Sequence, residues 1–237
     1  MVKEITSEVY DSHIIEQGLQ FQIDKYYEPK ELPLKRRIKI ILDAIAPKAS
    51  EKILDIGCGV GTFAFHCARC GTNSVGIDYS LESIKVARQL SEKYGTSKNT
   101  KFIVGNANRL PFKDSYFDKV VAIDFIEHIT FEDKEKLLRE ICRVLNLKGI
   151  AVIFTPNGIR ERIGEIYWKI RSRITQEDIP TTDLHYGLVK RSEFESLLRK
   201  FNFSFEFKYA DITRPYLSKI PILRNFLALE LLWIIKK

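Results

Sequence analysis

The chain has 237 residues, 45% hydrophobic and 29% charged, which is the balance of an ordinary globular protein and enough for one α/β core spanning residues 1–237. A net charge of +7 favours acidic partners such as nucleic acid, anionic lipid or anionic substrates, yet the basic residues are scattered among acidic ones. Lys35-Arg36-Arg37, the densest basic cluster, reads as a solvated helix face.

In chain order, residues 1–30 are mixed and carry Tyr10, Phe21, Tyr26 and Tyr27. Pro33 opens a helical pattern with Leu34, Ile38, Ile41, Leu42 and Ile45 on one face, stopped by Pro47, so that residues 1–47 form an N-terminal helical extension. Alternation follows. Lys52–Ile56 is an apolar run feeding a glycine cluster, Thr62–Arg69 a helix, Asn73–Ile77 a second strand and Leu81–Tyr94 a helix with Ile84, Val86, Ala87 and Leu90 as its stripe. Lys101–Val104 is a third strand, Asp118–Asp124 a fourth, Lys134–Leu145 an amphipathic helix and Ile150–Thr155 a fifth strand. Short apolar strands alternating with helices predict a Rossmann-like three-layer sandwich, a mostly parallel sheet with helices on both faces.

The C-terminal end differs. Phe203–Tyr209 alternates apolar and polar residues, the sign of a half-solvated strand, and predicts an antiparallel C-terminal edge. Leu231–Ile235 is either one more strand or the end of an apolar helix, buried on both readings. The run from Ile220 to Ile235 is short for a membrane span and interrupted by Arg224, Asn225 and Glu230, so no transmembrane segment is expected, although peripheral membrane contact stays open. Cys67 and Cys70 stand in CxxC spacing beside His66, but no second ligand pair exists and the segment reads as helix; no metal is assigned. Four unpaired cysteines without a leader-like segment fit a reducing cytoplasm.

The most informative stretch is Ile53-Leu-Asp-Ile-Gly-Cys-Gly-Val-Gly-Thr62, where Gly57, Gly59 and Gly61 follow a strand and open a helix. Glycine suits a tight turn that a ligand approaches closely, but Thr62 stands where a dinucleotide fingerprint needs its last glycine. Alone, the glycines leave nicotinamide, nucleotide or an ordinary turn open. Asp78, ending the second strand, could accept both ribose hydroxyls of an adenosine or cap the next helix, with Ser80 as an alternative cap. Gly105-Asn-Ala-Asn-Arg-Leu-Pro-Phe112 then offers a small polar turn to an adenine edge.

The ordered runs LDIGCGVG, GIDYS, GNANRLPF, FDKVVAIDFIEHI, RVLNLKG and TPN resemble class I S-adenosylmethionine-dependent methyltransferases, closest to the small-molecule group typified by ubiquinone-biosynthesis O-methyltransferases. The resemblance covers residues 50–157 and continues over His185 to Phe203. It implies that Gly57, Cys58, Gly59 and Gly61 lie under the methionine moiety of S-adenosylmethionine, with Asp55 fixing the loop or, through water, the ammonium group. Asp78 would bind the ribose, Tyr79 flank the adenine, Asn106 and Ala107 meet its edge, and Asp124 and Phe125 face the methionine part. Asn106 replaces the family's usual aspartate, and Leu147 and Ile150 replace a Pro and a Gly in a later turn.

Glu127 and His128 follow the fourth strand at its carboxyl end, where ligands of such sheets bind, and His185 is a second candidate base with Asp183 nearby in sequence. In the resembled quinone enzymes a Glu-His pair, with an acidic residue three before the Glu (Asp124 here), can hold a divalent metal. The bland alternative is that Glu127 and His128 only cap and orient the next helix. A general base would assist transfer to a hydroxyl by about 10²–10⁴-fold.

The expected function is methyl transfer to a small-molecule acceptor, anionic or lipid-linked. Residues 158–186, with Arg160, Tyr167, Trp168, Arg171 and Arg173, are expected to cover that acceptor. An RNA or protein methyltransferase is the second reading; charge favours it, but the fourth strand lacks the Asn/Asp-Pro-Pro-Tyr motif and the chain lacks a Pro-Cys dipeptide. A non-catalytic S-adenosylmethionine-binding protein is the third, and a nicotinamide dehydrogenase the least favoured.

Overall fold

The structure, a computed structural model, describes residues 7–175, 185–212 and 220–237. Seven strands form one sheet in the order β3-β2-β1-β4-β5-β7-β6. β1 (Lys52–Ile56), β2 (Asn73–Asp78), β3 (Thr100–Val104), β4 (Phe117–Ile123) and β5 (Leu145–Pro156) pair in parallel. β7 (Ala228–Lys236) runs antiparallel between β5 and β6 (Ser204–Ile212). The sheet is mostly parallel with an antiparallel C-terminal edge, as the patterning predicts.

Because strand side chains alternate, each central strand feeds two cores. Leu54, Ile56, Val120, Ala122, Ile153 and Trp233 face one side, where they meet Leu137, Leu138 and Ile141 of α5 (Phe131–Val144) and Phe194 and Leu198 of α7 (Arg191–Lys200). Ile53, Val121, Ile123, Val152, Phe154 and Leu232 face the other, against Ile41, Ala44 and Ile45 of α2 (Leu32–Ile45) and Cys67 of α3 (Thr62–Ala68). Cys67 is therefore a core residue, and His66 bonds the Tyr26 carbonyl at 3.1 Å instead of joining the CxxC pair.

Some boundaries differ from the sequence reading. α5 starts at Phe131, three residues early, because Thr130 Oγ1 accepts from Asp133 N at 3.1 Å and supplies the N-cap. β5 starts at Leu145, directly where α5 ends, and its pairing to β4 shifts register between Phe117 and Lys119. Leu231–Ile235 belongs to a strand within the sheet, with Trp233 and Ile235 wholly buried, whereas Ile220 and Phe226 earlier in the C-terminal run stay exposed. Among the described residues no helix is long and apolar enough to cross a membrane.

β1 has β2 on one side and β4 on the other, so the chain reverses direction of progress across the sheet between them. In open α/β sheets such a switch point marks the crevice, at the carboxyl ends of the strands, where ligands bind.

Candidate active site

One wall of the crevice is the loop after β1. Gly57, Gly59 and Gly61 adopt φ of +66°, +50° and +86°, a region that costs any residue with a Cβ. A Cβ on Gly57 would stand 2.2 Å from the Phe125 ring, whereas one on Gly59 would meet nothing within 4 Å. Gly59 is thus required by its conformation alone, and its backbone lies open to a ligand. The loop is pinned from below. Gly57 N donates to Ile77 O at 2.9 Å, and the buried Asp55 carboxylate accepts from Ala64 N at 3.0 Å, seating the start of α3. Cys58 contributes backbone only; its side chain turns into the core against Ala64, Ile84 and Phe102.

Asp78 ends β2 and ties the glycine loop to the turn before α4 (Leu81–Lys93), whose N-cap is Ser80. Its Oδ2 accepts from Gly59 N at 2.8 Å and its Oδ1 from Ser80 N at 2.9 Å, while Ser80 Oγ caps α4 by accepting from Ser83 N at 3.0 Å. Each carboxylate oxygen keeps acceptor capacity for a diol. Gly105 N donates to Asp78 O at 2.8 Å and draws the next turn alongside, where Asn106 Oδ1 accepts from Asn108 N at 2.8 Å and Asn106 itself stays exposed beside Ala107.

The opposite wall comes from the carboxyl end of β4. Asp124 leaves the strand at φ +51°, and its carboxylate ion-pairs with Arg37 of α2, which also reaches Glu230 at 3.3 Å and lies over the Phe154 ring. This corrects the reading of Lys35-Arg36-Arg37 as a solvated face. Lys35 and Arg36 are exposed, but Arg37 points inward to neutralise two acids. Phe125 follows and covers Gly57. A 3₁₀ turn, Ile126–His128, then places Glu127 in the interior, where Thr155 Oγ1 donates to its Oε2 at 2.8 Å. Burial, reinforced by the Asp124 charge, pushes the Glu127 carboxyl well above the usual carboxylate range.

His185 arrives from a loop far along the chain and sets its ring edge-on to His128, with 5.1 Å between centroids. Gly187 explains how the loop is held. Gly187 N donates to Glu127 O at 2.7 Å, and a Cβ there would stand 2.1 Å from Ile129 O and 2.8 Å from Lys134 Nζ. Lys134 is buried, donates to Ile129 O at 2.6 Å, and has its pKa lowered to about 8 by that burial. Ligand atoms of Glu127, His128 and His185 lie within 4.8 Å of one another, a set able to hold a divalent cation. Asp124, the acid implied for such a set, is committed to Arg37 instead and is not part of it. The Nδ1 atom of His185 has no hydrogen-bond partner among the described residues. Asp183 lies outside the described residues.

Sequence patterning missed the roof. α1 (Ser7–Gln22) lays Tyr10 edge-on against both Tyr79, at 5.5 Å, and His128, at 5.7 Å, bridging the two walls. Asp11 accepts hydrogen bonds from Ser80 Oγ and, at 3.2 Å, from Glu82 N, which fastens the helix to α4. The aromatics of residues 1–30 were the only signal, and they carry no motif spacing.

Asp55 sets a pH dependence. Burial lifts its carboxyl to about 7, against the pull of the Ala64 and Phe63 amides. A raised folded-state pKa means the fold prefers the protonated acid, so the stability linked to Asp55 is present in full below about pH 4 and lost as pH rises through about 7. Asp55→Asn, which keeps the acceptor for Ala64 N, is therefore expected to gain on the parent by about 2 kcal/mol between about pH 5 and pH 8. Denaturant titrations of both proteins across that interval check this; parallel curves would mean that Asp55 ionises freely.

Comparison with known proteins bears on the family and the fold. A family model described as a methyltransferase domain matches residues 47–210, and the chain belongs to that family. The chain is 43% identical over 98 residues to norajmaline N-methyltransferase of Rauvolfia serpentina, a match spanning 41% of this chain and 33% of that one. The chain thus covers about a third of the length of that curated relative. Among solved structures, the PH0226 protein of Pyrococcus horikoshii superposes with a TM-score of 0.66 at 22% identity over 90% of this chain and 95% of that one. Phosphoethanolamine N-methyltransferase 2 of Haemonchus contortus, solved with S-adenosylmethionine, gives 0.68 at 18% identity over 98% of this chain and 60% of that one. These structural likenesses establish the fold.

Proposed function

We propose that the chain transfers a methyl group from S-adenosylmethionine to a small-molecule acceptor at the carboxyl end of β4 and β5. The observation that carries the reading is the union of two walls across the switch point: an open glycine loop bonded to Asp78, and a histidine pair anchored on buried Glu127. The bound cofactor supplies an electrophilic methyl group. Asp78 accepts from the ribose, Tyr79 flanks the adenine, Asn106 and Ala107 meet its edge, and the backbone of Gly57 to Gly61, with Asp55 beneath it, supports the methionine portion. Phe125 lines the same end, while Asp124 acts through Arg37, holding α2 against the site.

His128 or His185 takes the proton that the acceptor's O–H or N–H gives up as its bond to carbon forms. Glu127, buried and fixed by Thr155, holds the turn that carries His128. The rest of the gain comes from holding nucleophile and methyl group in line. A cleft roofed by Tyr10 suits a metabolite better than a polymer, and the relative with the printed name norajmaline N-methyltransferase acts, by that name, on a small molecule. An anionic or lipid-linked acceptor would match the net charge of +7.

Incubation with methyl-labelled S-adenosylmethionine and a cell extract, fractionated into metabolites, lipids, RNA and protein, tests the proposal. Label is expected in the metabolite or lipid fraction. Label confined to RNA or protein would overturn the acceptor class, and cofactor binding with no label anywhere would favour a non-catalytic protein.

A further inference from the structure

α6 (Gly158–Thr175) is amphipathic in the wrong sense for a helix that merely covers a core. Ile163, Ile166, Tyr167, Ile170 and Ile174 recur at spacings of three and four and so share one face. That face points to solvent, its five residues being between 41% and 77% exposed. The partly covered side carries Glu161, Gly164, Glu165, Ser172 and the large apolar Trp168, over whose ring Arg171 lies. A continuous apolar stripe turned outward is an interaction surface, since monomeric proteins rarely leave one uncovered.

The charges say what covers it. Arg162, Lys169 and Arg173 border the stripe on one side and Arg160 and Arg171 on the other, while both glutamates lie opposite. Long basic side chains beside an apolar face can keep their heads at an anionic surface while the stripe enters the acyl boundary. A second copy of this chain would instead bring two cationic borders together. α8 (Pro221–Leu227), which packs on α6, adds exposed Phe226, and Ile220 just before it is also exposed.

We infer that α6 is a membrane-docking helix that seats the protein on an anionic lipid bilayer without spanning it. α6 leaves the carboxyl end of β5, the end that carries the glycine loop and His128, and Gly158 N donates to Val189 O at 3.2 Å, tying its start to the His185 loop. Docking would therefore set the open end of the crevice beside the bilayer. The inference does not depend on which acceptor is methylated.

Co-sedimentation of the full chain with vesicles of phosphatidylcholine alone, and of phosphatidylcholine with phosphatidylglycerol, tests it. Binding is expected only to the anionic vesicles, and raised salt should weaken it. The double substitution Ile166→Glu with Ile170→Glu, and separately Arg162→Glu with Lys169→Glu, should each weaken it by about tenfold or more. Leu147→Glu, an equally apolar and 78% exposed position at the other end of β5, should leave it unchanged. Calorimetric S-adenosylmethionine affinity equal to the parent's would show that each variant is folded, and it separates this question from the methyltransferase reading. No sedimentation with anionic vesicles, or binding that both double variants retain, would overturn the inference. So would self-association abolished by Ile166→Glu with Ile170→Glu in the absence of lipid binding.

Discussion

Asp78→Ala is expected to weaken S-adenosylmethionine binding by about 100-fold or more. The carboxylate holds the glycine loop through Gly59 N at 2.8 Å and the entry to α4 through Ser80 N at 2.9 Å, and in the proposed complex it also receives the ribose diol. A hydrogen bond to a charged group contributes about 1.5–3 kcal/mol, and about 1.4 kcal/mol is tenfold in affinity, so loss of the two ribose bonds alone reaches that range. Leaving Gly59 N without its acceptor adds to the loss by freeing a backbone already held at positive φ. Asp78→Asn keeps one acceptor oxygen and should fall between the parent and alanine. Calorimetric titration with S-adenosylmethionine, S-adenosylhomocysteine and NAD reads all three proteins. Equal affinity for Asp78→Ala would reduce Asp78 to a turn-former, and heat from NAD with none from the other two would return the glycine loop to a dehydrogenase.

Replacing His128 and His185 together by alanine is expected to lower turnover by about 10²–10⁴-fold while cofactor affinity stays close to the parent's. Their rings stand 5.1 Å apart, and the two are held by different means: His128 by the turn that buries Glu127, His185 by the Gly187–Glu127 backbone bond. The single substitutions show which ring takes the proton, since the one that merely packs should cost little. Gly187→Val provides a second reading, because any Cβ there meets Ile129 O at 2.1 Å and must displace the loop that carries His185. Its turnover should drop with the affinity for S-adenosylmethionine again retained. A double-alanine protein that turns over at the parent rate on its true acceptor would remove both histidines from the chemistry.

The sheet's centre was legible because burial on both faces forces apolar strands, and the loops between them must be glycine-rich where a ligand meets the backbone. Lys52–Ile56, Asn73–Asp78 and Phe117–Ile123 announce themselves this way, and so do Gly57, Gly59 and Asp78. Leu231–Ile235 could not be resolved into strand or helix, because a run buried on both sides has no period to read; only pairing with Ile153 and Phe207 through Trp233 decides it. Arg37 looked like one more solvated cation, since nothing local reveals that Asp124 and Glu230, both distant in the chain, converge on it. Tyr10, Gly187 and the outward apolar face of α6 were hidden for the same reason. Short-range pattern records which residues prefer burial and which turns need glycine, and that determined the fold and the glycine loop. Which side chains meet across the crevice, and which face of a helix stays in water, is decided by contacts between segments that the chain order keeps apart.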